Sequence, residues 1–207
     1  GYCYAGKNSH NEAIAAYKQA IKTNPANEMS HYHLGNYYSH IGRYDEAIAS
    51  YQQVVALNPK FEAAYFNLGM LLNKMGRYDE GRQAFESVIR INPQAQKAYY
   101  NIGVTYTKLG RYELAAMAYQ KAIDIQPEFP EAIFNLGVVY GELGNVEDEM
   151  KAYKKAIRVN PDFAPAHLAM GQAFLRQGDK AAALDEYKIL KKLDDELAEM
   201  LFEKIYR

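Results

Sequence analysis

A fixed period of 34 residues runs through this chain with no insertion or deletion. Asn-Pro or Gln-Pro pairs stand at Asn24-Pro25, Asn58-Pro59, Asn92-Pro93, Gln126-Pro127 and Asn160-Pro161. Gly1, Gly35, Gly69, Gly103, Gly137 and Gly171 keep the same interval, and Gly42, Gly76, Gly110, Gly144 and Gly178 form a second series seven residues further on. Units of this length cannot bury an apolar face alone and must stack on their neighbours. The period therefore constrains the chain to a repeat array before any single motif is considered.

One period, Glu62 to Ala95, shows what each unit is. Tyr65, Leu68, Gly69 and Leu72 fall at helical spacing, and so do Ala84, Phe85, Val88 and Ile89. Gly76-Arg77 breaks the pattern between them, and Asn92-Pro93 ends the second stretch, since proline cannot continue a helix. Each unit is thus expected to be two antiparallel helices of about 12–14 residues joined by a short turn. A glycine inside the first helix costs about 1 kcal/mol of helix propensity, and its repetition marks a place where another helix comes close.

These residues resemble the tetratricopeptide repeat (TPR) family. Repeat four reads Tyr99, Ile102-Gly103, Tyr106, Ala115, Tyr119, Ala122, Pro127, and repeat two reads His31, Leu34-Gly35, Tyr38, Ala47, Tyr51, Val54, Pro59. Repeat three departs at Leu72 and Gly81, repeat five at Ile133 and Glu149. Gly81 and Glu149 replace the alanine where helices touch, so looser or altered contacts are expected there. The resemblance implies an all-α fold, an α-α superhelix or right-handed solenoid. The array would fill residues 1–207 as one domain: a partial repeat 1–27, repeats 28–61, 62–95, 96–129, 130–163 and 164–197, and a capping helix at about 195–206. In that helix Leu197, Met200, Leu201 and Ile205 are expected inward and Glu196, Glu199 and Glu203 outward. The polar cap reads as an end of the array, which needs one. The start at Gly1, inside a first helix, reads as a cut.

Composition narrows the function. A net charge of −1 argues against non-specific nucleic-acid binding, which needs a basic surface. No apolar run approaches the ~18 residues of a membrane span. Cys3 is the single cysteine, which excludes an internal disulfide and a multi-cysteine metal site; a small buried side chain is the expected role. His31 and His33 point about 200° apart on a helix, so they cannot share a metal. His31 and His167 take the bulky framework place of Tyr65 and Tyr99. Acidic pairs such as Asp45-Glu46 and Asp79-Glu80 start second helices, where they favour the dipole. The expectation is no enzyme, no metal and no cofactor. Tyrosine is overused, at 19 with no tryptophan, but 14 of the 19 occupy recurring framework places. Of the remainder, Tyr37 falls outside both framework and groove, and Tyr2, Tyr32, Tyr100 and Tyr206 are expected on the concave side.

The family resemblance implies that first helices line a concave groove that holds peptides or partner helices. Two stripes face it. One is Asn67, Asn101 and Asn135, preceded by His33; the other is Tyr32, Phe66, Tyr100 and Phe134. Asparagine disfavours helices, so its repetition needs a reason. It carries both a donor and an acceptor, matching the N–H and C=O of an extended peptide. First helices about 10 Å apart and a rise of about 3.3 Å per peptide residue would put one asparagine at every third residue. The alternative is that these asparagines bond neighbouring helices. Similar asparagine ladders serve O-linked N-acetylglucosamine transferase and the peroxisomal targeting-signal receptor. Asn36, Asn67 and Lys97 match three places of the family's carboxylate clamp, but Tyr32 and Asn101 replace two of its cations, which disfavours that mode. The expected function is a protein-binding scaffold or adaptor. Alternatives are a self-assembling homo-oligomer, or the substrate-presenting region of a larger glycosyltransferase.

Overall fold

The computed structural model describes residues 7–206, and side chains from His10 onward. The expectations for Gly1, Tyr2 and Cys3 lie outside the described residues. These form helices without a strand, in two compact units, one up to Ala98 and one from Tyr99. First helices have 13 residues each: α2 (Glu28–His40), α4 (Glu62–Lys74), α6 (Gln96–Lys108), α8 (Pro130–Glu142) and α10 (Ala164–Arg176). Second helices have 14: α3 (Tyr44–Leu57), α5 (Tyr78–Ile91), α7 (Tyr112–Ile125), α9 (Val146–Val159) and α11 (Lys180–Leu193). At the two ends stand α1 (Lys7–Thr23) and α12 (Asp195–Tyr206).

The two glycine series do different work. Gly42 has φ +79°, and after it the Arg43 N–H bonds the Tyr38 carbonyl at 2.8 Å while its own N–H bonds Ser39 at 3.3 Å. This is a Schellman stop, which needs the left-handed residue that glycine supplies most cheaply. The other four turn glycines repeat it. At Asn8 the period lacks such a glycine, and α1 runs through that place from Lys7. In the other series, a Cβ on Gly103 would lie 2.6 Å from the Tyr119 ring. The α-carbon is the only atom that fits, which explains the tolerated loss of propensity.

The Asn-Pro pairs close the unit. Asn58 Oδ1 accepts from the Lys60 N–H at 3.0 Å, and Asn92 and Asn160 do the same for Gln94 and Asp162. Such Asx turns end the second helix, and proline bars its continuation. His31 and His167 bond the carbonyls of Pro25 and Pro161 at 3.1 and 2.8 Å, so both fasten a first helix to the turn before it.

The structure narrows one expectation and corrects others. Of the looser or altered contacts expected at Gly81 and Glu149, it shows the altered ones. The Asn73 side chain fills the space over Gly81, and Glu149 fills the space over Gly141, with Oε1 2.8 Å from where a Cβ would stand. Tyr37 is not outside the framework. It shares its place with the buried Leu71, Val139 and Ala173, and packs beside Tyr17 with its hydroxyl 2.5 Å from His10 Nδ1. In α12, Ala198, Leu201 and Ile205 are buried, with Leu201 against Gly171, whereas Met200 is 47% exposed. Met200 lies about 200° from Ala198 around the helix, hence off the buried face. The outer face is also less polar than expected: Phe202 and Tyr206 are exposed with rings 4.5 Å apart.

Candidate functional site

In the first unit, α2 and α4 bring Tyr32, Asn36 and Asn67 into one hydrogen-bonded group. Asn67 Nδ2 donates to the Tyr32 hydroxyl at 3.1 Å and to Asn36 Oδ1 at 3.0 Å. The Tyr51 hydroxyl donates to the same Asn36 oxygen at 2.8 Å. Tyr32 is half-buried, its ring 5.0 Å from Phe61 and 6.1 Å from Tyr51. His33 is exposed and stacks on Tyr17 at 6.1 Å. Phe66 meets Phe85 edge-on at 5.6 Å. Phe66, Asn67 and Lys97 line one cavity of about 430 Å³ together with Glu62 and Gln96.

The second unit repeats the device. Asn135 Nδ2 on α8 donates to the Tyr100 hydroxyl on α6 at 3.1 Å. Burial pushes the Tyr100 phenol up, and the Asn135 hydrogen bond opposes that shift. Tyr100 packs on Phe129 and Tyr119, and Phe134 on Phe163 and Tyr153, at ring distances of 5.1 to 5.8 Å. Asn101 is half-buried at the corresponding place on α6. The aromatic stripe is therefore no row of free rings. Each ring is half-buried on framework aromatics, which holds it rigidly at little further entropic cost to a ligand.

Sequence reasoning missed a polar group in the second unit. Glu149 is 3% exposed, and its Oε1 accepts from Arg176 Nη2, with the Tyr153 phenol close enough to feel the carboxylate's charge. Burial, and then the Glu149 charge, push the Tyr153 phenol well up, so it stays a donor. Glu149, Arg176, Glu142 and Phe134 line a cavity of about 530 Å³. Glu149 stood out as a departure from the framework; the available signal for a site was Gly141, which clears its space, followed by a basic residue at Arg176.

No group of three or more His, Cys, Asp or Glu among the described residues is placed to hold a metal ion. No described helix is long and apolar enough to cross a membrane.

No curated protein matches the chain. Among solved structures it resembles PilW, a widely conserved type IV pilus biogenesis factor, with a TM-score of 0.78 and 22% identity over 94% of this chain and 91% of that one. It resembles YrrB, a TPR protein with an unusual peptide-binding site, with a TM-score of 0.71 and 21% identity over 92% and 99%. MamA from Desulfovibrio magneticus RS-1 aligns with a TM-score of 0.75 and 20% identity over 82% and 96%. At these identities the likeness concerns the fold. Family models match the sequence directly: two described as tetratricopeptide repeat at residues 4–62 and 40–103, and one described as TPR repeat at 105–144 and 142–178. Taken with the 34-residue helix pairs, they show that the chain belongs to the tetratricopeptide repeat family.

Proposed function

We propose that this protein is a non-catalytic interaction module whose first-helix faces hold an extended segment of a partner protein. The observation that carries this reading is the pair Asn36–Asn67. Asn67 spends both amide protons inside the protein, and the Asn36 oxygen accepts twice. What they leave over is complementary: two N–H donors on Asn36 and a carbonyl acceptor on Asn67. An extended peptide offers the matching C=O and N–H along its backbone. A terminal carboxylate needs donors from both asparagines, and Asn67 has none left, which argues against a carboxylate clamp. The likeness to YrrB, a peptide-binding TPR protein, supports the reading at the level of the fold.

The internal bonds also alter what substitution should do. Asn36→Ala with Asn67→Ala should weaken a peptide selected on the whole chain about tenfold, two hydrogen bonds being lost. The circular dichroism spectrum should persist, with the melting temperature lower by a few degrees for the lost internal bonds. Asn101→Ala with Asn135→Ala should behave alike in the second unit. Titration calorimetry showing wild-type affinity for both pairs would sink the proposal.

A further inference from the structure

The second unit carries a polar group that backbone recognition does not use. Glu149 stands in α9 where the other repeats place Ala47, Gly81, Ala115 and Ala183. A buried carboxylate is costly unless donors surround it. Its one side-chain donor is Arg176, against about four lone-pair sites. Acceptor capacity is left over, and the residue lines a cavity of about 530 Å³ that Phe134, Val138 and Leu168 make partly apolar. Glu142 lines the same cavity, so two carboxylates face one guanidinium. Arg176 is engaged with Glu149 and over half exposed, a lid on the carboxylate more than a second binding charge.

We propose that this cavity takes a basic side chain, arginine or lysine, of the bound peptide segment. Its aliphatic stem lies along Phe134 and Leu168, and its donor-rich head supplies the hydrogen bonds that Glu149 lacks, with Glu142 adding charge. An acidic side chain would meet two carboxylates there. The inference rests on the peptide-binding reading above.

The test uses the whole chain and a phage library of random peptides. Wild type should enrich arginine or lysine at one fixed place in the consensus. Glu149→Ala, which restores the framework alanine, should weaken a selected peptide about tenfold or more. Glu142→Gln, on an exposed residue that the fold does not need, should weaken it about two- to fivefold. Arg176→Gln should leave binding equal or tighter. A peptide with norleucine at the basic place should bind wild type and Glu142→Gln alike. A consensus with no basic place, or one enriched in Asp or Glu and lost in Arg176→Gln, overturns this inference and leaves peptide binding standing. So does a basic place indifferent to Glu142→Gln. A library that enriches no peptide overturns the peptide-binding reading and the inference with it.

Discussion

Tyr119→Ala should cost about 3–5 kcal/mol of unfolding free energy, the range for removing a large buried aromatic. Tyr119 is 1% exposed on α7, and its ring covers Gly103 so closely that no Cβ fits between them. Tyr100 rests on the same ring at 5.8 Å, so the truncation also removes its support. Urea unfolding followed by circular dichroism measures the loss; a cost under about 1 kcal/mol would mean the glycine–aromatic contact does not hold the repeat together. The phenol adds a pH signature. Burial pushes it up to about 12, against a partial offset from the Thr107 hydroxyl. The folded value exceeds the unfolded one, near 10, so above about pH 10 the unfolded chain gives up its proton first. Stability should therefore fall as pH rises between about 10 and about 12, and Tyr119→Phe should fall less over that window.

Gly81→Ala should destabilise the first unit by about 1–3 kcal/mol, the usual cost of forcing an atom into a filled core. The new methyl would enter the space that the Asn73 side chain occupies. Adding Asn73→Ser removes the obstruction, and the double variant should recover most of the loss despite carrying two changes. A coupling of that size between two contacting residues is what a double-mutant cycle reads. Additive costs would show that the two places are independent. The mirror exchange, Gly141 with Glu149, follows the same logic with the large residue on the second helix.

That exchange shows what the letters revealed and what they hid. The period fixed helix lengths and turns because each depends on residues close in sequence: Gly42 stops a helix, and Asn58 closes a turn, through neighbours two to four residues away. Gly81 and Glu149 were visible as departures, but each looked like a defect when read alone. Their compensation needs the partner on the other helix, Asn73 or Gly141. The candidate site was half legible. Tyr32 and Tyr100 each stand 35 residues before the asparagine that bonds them. The alternation of tyrosine with phenylalanine was thus a readable signal for which asparagines spend a donor internally. The Glu149–Arg176 pair spans 27 residues with no periodic counterpart, so no other repeat offered a second copy to compare it with.

In the function proposed above, asparagines on the first helices read a peptide backbone. That reading is tested most directly by titration calorimetry with a library-selected peptide and versions methylated at one backbone nitrogen each. Methylation removes a single N–H donor and leaves every side chain in place. If Asn67 and Asn135 accept from the backbone, affinity should drop about fivefold at the amide that each one meets, one neutral hydrogen bond each. The other amides should bind as the parent does. A flat profile, with affinity following side chains alone, would contradict the account.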